Sequence, residues 1–81
     1  MRTRKKELGD KNIIGAKIES YRKNNGIKQK DLLAQLQIKG IDINSSGLSK
    51  IEGQLRGVAD FELKAIAEVL GDSVDWLLTT E

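Results

Sequence analysis

Cysteine, histidine and proline are absent from these 81 residues, and only about one residue in 25 is aromatic. Without cysteine the chain cannot form disulfides, and without cysteine or histidine it lacks the ligands of most structural zinc sites. Histidine is also the side chain that most often performs acid–base chemistry near neutral pH. Stability must therefore come from the packing of one small core, and a reducing cytoplasm fits this composition.

Long apolar runs are missing as well. No segment approaches the ~20 apolar residues needed to span a bilayer, and the basic start "MRTRKKELGDK" is not followed by the apolar stretch of a secretory signal. The glycines do not form the phosphate-binding patterns GxxxxGK[ST] or GxGxxG, and no base is available to activate a serine. We therefore expect a soluble, cytoplasmic protein that is not an enzyme and uses no metal, cofactor or membrane.

Charge is distributed unevenly along the chain. The formal net charge is only +2, but residues 1–11 carry +3, residues 12–30 carry +4, residues 31–57 are neutral and residues 58–81 carry −5. A basic front and an acidic back would orient the domain in the field of a polyanion. The alternative is a solvated tail followed by an ordinary helical surface, and charge alone does not choose between the two.

Apolar residues recur at helical spacing and predict an all-α domain of five helices joined by short loops. Leu32, Leu33 and Leu36 mark the inner side of the second helix. Trp76 and Leu77 are expected to pack back as a lid. The first predicted helix follows an Asn12 cap and runs to about Asn25, and the second runs from Gln29 to about Ile38. The third follows an Asn44 cap and runs from about Ser45 to Gln54. The fourth starts at Asp60, whose carboxylate can cap it, and runs to Leu70, and the fifth adds one or two turns after a Ser73 cap.

The third predicted helix has an unusual outer face. Leu48 and Ile51 lie three residues apart on an inner stripe, whereas the rest of "SSGLSKIEGQ" is mostly small or polar. A helix of this width fits the major groove of B-DNA, and its first residues are those that reach base edges.

The segment from Ile14 to Leu78 resembles the phage-repressor, Cro and XRE-like helix-turn-helix family, with a lambda-repressor-like fold. The resemblance is carried, in order, by "IGAKIESYRKNNGIKQKDLLAQL", "LSKIEGQLR" and "LKAIAEVLGDSVDWLL". It implies that helices 2 and 3 form the helix-turn-helix and that helix 3 reads DNA. It covers about four-fifths of the chain.

The resemblance also implies roles for individual residues. Ser45, Ser46 and Lys50 occupy base-reading positions, and Gly47 would let the backbone approach the groove. For the serines the alternative is that they merely start the helix, and for Lys50 that it is simply solvated. The residues implied to contact phosphates are Gln29, Lys28, Lys30, Lys39 and Arg56; for Gln29 the alternative is an ordinary surface position.

Arg22 and Glu52 match a pair that the family commonly forms between its first and third helices, and the resemblance implies a structural ion pair. Two departures from the family pattern stand nearby: Leu33 replaces the usual alanine and Gln37 the usual turn glycine. The turn is also about five residues longer than usual. It either carries Lys39 toward the DNA backbone or makes room for Leu33.

These observations predict a sequence-specific regulator of transcription that binds double-stranded DNA, most simply as a repressor-like homodimer on two half-sites. Residues 12–81 would form the domain, and residues 1–11 a flexible basic arm that lies along DNA or only aids solubility. The acidic carboxyl-terminal part, including Trp76 and Leu78, is a hypothetical dimer contact. The alternative function is a protein-interaction module, such as an antitoxin or an anti-repressor partner, with the same fold.

Overall fold

Five α-helices account for the regular structure of residues 9–79, the part of the chain that the computed structural model describes. They are α1 (Gly15–Asn24), α2 (Gln29–Ile38), α3 (Ser45–Glu52), α4 (Asp60–Leu70) and α5 (Val74–Leu78). No β-strand occurs in this range. The all-α, five-helix fold class is therefore confirmed. Most of the predicted basic arm, residues 1–8, lies outside the described residues.

Two of the four predicted N-caps are confirmed. The Asn44 side-chain oxygen accepts the Gly47 N–H at 2.8 Å at the start of α3, and the Ser73 hydroxyl accepts the Trp76 N–H at 3.0 Å at the start of α5. Gly71 ends α4 in the left-handed conformation, with φ +75°. Short side chains that mimic a backbone acceptor thus fix two of the helix starts as the sequence predicts.

Two predicted caps and one predicted helix end are wrong. Helix α1 begins at Gly15 with Ile14 as its N-cap residue, two residues later than a cap at Asn12 predicts. Helix α3 ends at Glu52, two residues early, because Gln54 adopts φ +60° and the Leu55 N–H turns back to the Lys50 carbonyl at 2.8 Å. Asp60 is the first residue of α4 and not its cap. The Glu62 carboxylate instead reaches back to the Ala59 N–H at 2.9 Å, which satisfies a free donor of the helix start.

A single core joins all five helices and the loop between α2 and α3. Leu33, predicted to lie on the inner side of α2, is only partly buried. The fully enclosed large side chains come from every helix: Ile18, Leu32, Leu36, Leu48, Ile51, Ile66 and Leu77.

The lengthened turn between α2 and α3 contributes to this core. Ile41 and Ile43 are buried, and the Gln37 side-chain amide donates to the Ile43 carbonyl at 3.0 Å. The Ile41 N–H also returns to the Leu36 carbonyl at 3.0 Å. The extra residues therefore supply two buried side chains to the core, which neither sequence-based interpretation of the turn included.

Helix α5 packs back on α1, as predicted for Trp76 and Leu77. The Trp76 ring meets the Tyr21 ring edge-on, with centroids 5.1 Å apart, and the Lys17 ammonium lies 5.0 Å from the Trp76 ring. Lys17 Nζ also donates to the Trp76 and Thr79 carbonyls at 2.8 and 2.7 Å. The Trp76 ring thus packs against residues of its own chain, whereas Leu78 stays 43% exposed.

Within residues 9–79, no helix has the length and apolarity that crossing a bilayer requires.

Candidate nucleic-acid interface

Helix α3 presents a polar face to solvent, as its sequence predicts. Ser45, Ser46 and Lys50 are exposed, whereas Leu48 and Ile51 are fully buried on the opposite side. Ser49 belongs to the same exposed face, and sequence reasoning did not select it as a site residue. Its position four residues after Ser45 was the signal that places both on one helix face.

Gly47 lies beside the cap of α3. A Cβ added there would come within 3.1 Å of Ile43 Cγ1 and 3.3 Å of Asn44 Oδ1, which is tighter than an ordinary contact. A small residue is therefore needed for packing against the loop, whatever approaches from outside. Its part in a close approach to DNA stays a prediction.

Arg22 and Glu52 meet in the geometry that the resemblance implied. Arg22 Nε and Nη2 donate to the two Glu52 carboxylate oxygens at 2.9 and 3.0 Å, and Arg22 Nη1 donates to the Ile27 carbonyl at 3.0 Å. Both residues are more than nine-tenths buried. A paired guanidinium and carboxylate with fixed orientation lock α1 against α3.

Gln29 extends this pair to the surface. Its amide nitrogen donates to Glu52 Oε1 at 3.1 Å, and its amide oxygen accepts the Ser49 hydroxyl at 3.3 Å. The first residue of α2 is therefore held against the exposed face of α3. The second N–H of the amide is not used in these contacts, so it can still donate to a phosphate, and the phosphate contact of Gln29 stays a prediction.

The cations predicted to contact phosphate fall into two groups. Lys28 and Lys30 are exposed and form no ion pair within residues 9–79, and the same holds for the predicted base contact Lys50. Lys39 instead pairs with Glu68 at 3.3 Å, with both side chains well exposed, so solvent screens that pair strongly. Lys39 is thus directed to α4.

Arg56 is the most strongly engaged of these cations. Its guanidinium donates to the two Glu62 oxygens at 3.2 and 2.9 Å and to the Gly57 carbonyl at 2.6 Å. The Arg56 hydrogen bonds, and next the Ala59 N–H, lower the pKa of Glu62 against the opposing effect of burial. The same pair raises the pKa of Arg56. Three N–H donors are occupied by the fold, which leaves two of the five for a phosphate.

Glu62 should make the stability of the domain fall in acid. Because its pKa is lowered on folding, its stabilising contribution is present at neutral pH and is lost as pH falls below the ordinary value of about 4.3. Glu62→Gln should cost about 1–2 kcal/mol at pH 7, and the difference from wild type should shrink toward pH 3. Urea unfolding at several pH values measures this. The exposed Glu68→Gln change is the matched control and should cost less than about 0.5 kcal/mol at pH 7.

Asn12 is a site residue that the sequence reasoning treated only as a cap. Its oxygen accepts the Ile14 and Gly15 N–H groups at 3.1 and 2.9 Å. Its amide nitrogen also donates to the Ile51 and Arg56 carbonyls, at 3.1 and 2.8 Å, near the end of α3. Only the folded arrangement brings these segments together, so no local pattern could have revealed this role.

Residues near the start of the chain are also joined to the end of α3. The Gly9 and Lys11 N–H groups donate to the Gly53 and Gln54 carbonyls at 2.9 and 3.0 Å. These two residues belong to the predicted arm of residues 1–11. The last residues of the predicted arm are thus bonded to the segment that directly follows α3.

The described region is electrically balanced. Residues 9–79 contain ten Lys or Arg and ten Asp or Glu residues, and the basic excess of the chain resides in residues 1–8, which carry +3. Exposed Asp31 and Asp42 belong to α2 and to the loop before α3. Any attraction of this region to a polyanion therefore depends on where its lysines stand and not on a net charge.

Comparisons with protein-family models, curated proteins and solved structures found no match for this chain.

Proposed function

We propose that this protein binds double-stranded DNA in a sequence-specific way and regulates transcription, with α3 in the major groove. The observation that carries the proposal is the polar outer face of α3, which is held from beneath by the buried Arg22–Glu52 pair and bonded at its side to Gln29. Base readout needs side chains that are exposed yet fixed in place. The Arg22–Glu52 pair and Gln29 fix the position of α3, and Ser45, Ser46 and Lys50 are exposed on it.

The chemistry of the face fits base edges. The hydroxyls of Ser45 and Ser46 donate or accept hydrogen bonds, and the Lys50 ammonium donates to guanine O6 and N7. Ser49 is the additional hydroxyl on this face, although its proton is directed to Gln29. So few contacts read only a short sequence, which favours a dimer on two half-sites.

Phosphate contacts come from residues around the same face. Lys28 and Lys30 flank Gln29 in the chain, and Lys50 follows Ser49, so the Gln29–Ser49 contact brings three exposed lysines to one region. Each lysine that neutralises a phosphate adds affinity without reading sequence. The basic residues 1–8 add further charge in the proposed complex.

Lys50 and Lys28 should behave differently when neutralised. Lys50→Gln should change the preferred base at one position and cost about 1–3 kcal/mol on the preferred sequence. Lys28→Gln removes the same charge and serves as the matched control: it should weaken binding to all sequences alike and reduce the salt slope by about 1. Fluorescence anisotropy on a set of single-base variants measures both. Equal effects of the two changes on base preference would contradict the reading role of Lys50.

A protein-interaction module is the second candidate, and the balanced charge of residues 9–79 together with exposed apolar side chains favours it. Salt separates the two functions. Affinity for DNA falls steeply as counterions compete for the phosphates, whereas a protein interface with a neutral centre responds little.

A further inference from the structure

A groove with both apolar and charged walls lies between the end of α2 and the first turns of α4. It measures about 530 Å³, and its apolar lining comes from Ile41 and Ala65, which are nearly covered, and from Ile38 and Phe61, which are 76% and 63% exposed. Its charged lining comes from Lys64 and from the Lys39–Glu68 ion pair. Ile38 and Phe61 are the most exposed large apolar side chains of residues 9–79. None of the contacts proposed for DNA explains why the chain leaves them in water.

Charges of both signs surround the groove. Asp60 and Lys64 are exposed, lie four residues apart on α4, and flank Phe61. No ion pair within residues 9–79 uses either of them. Two copies of α4 packed antiparallel about a two-fold axis would therefore set Asp60 of each copy against Lys64 of the other. The surface is complementary in charge to itself.

We propose that a second copy of this chain occupies the groove, in a two-fold dimer in which Phe61 of each copy packs against Ile38 and Ile41 of the other. Two ion pairs between Asp60 and Lys64 flank this contact. The apolar contact of Phe61 with Ile38 and Ile41 is small compared with the ~800 Å² that each partner buries in a stable interface. The dimer therefore dissociates on dilution. This proposal assigns the dimer contact that the proposed function uses, and it replaces the carboxyl-terminal contact, where Trp76 is already packed on Tyr21.

Sedimentation equilibrium of the full chain without DNA tests the contact. Across micromolar to millimolar concentration the wild-type mass should rise from 9.0 kDa toward twice that value. Phe61→Ser should stay monomeric over the same range. Leu55→Ser, which alters a side chain 54% exposed elsewhere, is the matched control and should associate like the wild type. A monomeric wild type, or equal association of the two variants, overturns the proposal.

Charge mixing tests the pairing itself. Asp60→Lys and Lys64→Asp should each weaken self-association at least tenfold, because like charges then face each other across the axis. An equimolar mixture of the two variants should form a mixed dimer with near wild-type affinity. Failure of the mixture to associate overturns the arrangement. Because no DNA is present in these experiments, a failure of the proposed dimer can be told apart from a failure of the proposed DNA binding. Circular dichroism verifies that every variant is folded.

Discussion

Glu52→Ala should cost about 3–5 kcal/mol of folding free energy, the cost expected when one partner of a buried ion pair is removed. Arg22 would keep its bond to the Ile27 carbonyl but lose both carboxylate oxygens while staying more than nine-tenths buried. An 81-residue domain has a total stability of only about 4–12 kcal/mol. Thermal unfolding should therefore show a large fall in melting temperature.

In the proposed complex, DNA affinity should fall together with stability in Glu52→Ala, because Gln29 loses its acceptor beside the exposed face of α3. A double replacement, Arg22→Met with Glu52→Leu, separates the two effects. It removes both buried charges, so it should recover most of the stability but not the placement of Gln29. Unchanged melting of Glu52→Ala combined with normal binding would contradict the structural role of the pair.

Gly15→Ala should also destabilise the domain strongly. A Cβ at this position would overlap the Ile51 carbonyl oxygen and lie 2.9 Å from the Glu52 carbonyl oxygen. Both obstacles are backbone atoms of α3, so no side-chain rotation relieves them. Overpacking of this kind costs about 1–3 kcal/mol, and rigid neighbours favour the upper end. Urea unfolding measures the loss.

Gly57→Ala is the matched control for Gly15→Ala. Nothing lies within 4 Å of a Cβ added at Gly57, and its φ is not positive. The change should be neutral or stabilise the domain by up to about 1 kcal/mol, because it narrows the unfolded ensemble. If Gly15→Ala proved as neutral as Gly57→Ala, the α1–α3 approach would be looser than the structure indicates.

Local signals accounted for most of the fold. Apolar stripes and short polar caps, such as Asn44 and Ser73, act within one or two helical turns, so the sequence reveals them directly. Glu62 was missed as the residue that closes the start of α4, although its spacing from Ala59 fits a known reach-back. Asp60 alone was predicted as the cap, because its carboxylate stands at the first residue of the helix.

The site depended more on long-range contacts. The outer face of α3 followed from periodicity, but the second bonds of Asn12 and Gln29 join residues more than twenty positions apart. The buried Ile41 and Ile43 likewise acquire their role only when the lengthened turn folds against the core. Such partners are set by tertiary packing, which no short window of sequence contains.

Selection of bound sequences from random duplexes, followed by a salt titration of the most enriched sequence, tests whether α3 reads DNA. We expect one common sequence to be enriched. With Lys28 and Lys30 each neutralising about one phosphate and the basic residues 1–8 adding further charge, log affinity should fall with log salt at a slope of about −2 or steeper for each bound copy. Absence of any enriched sequence, together with binding that salt leaves unchanged, would contradict a DNA-reading α3.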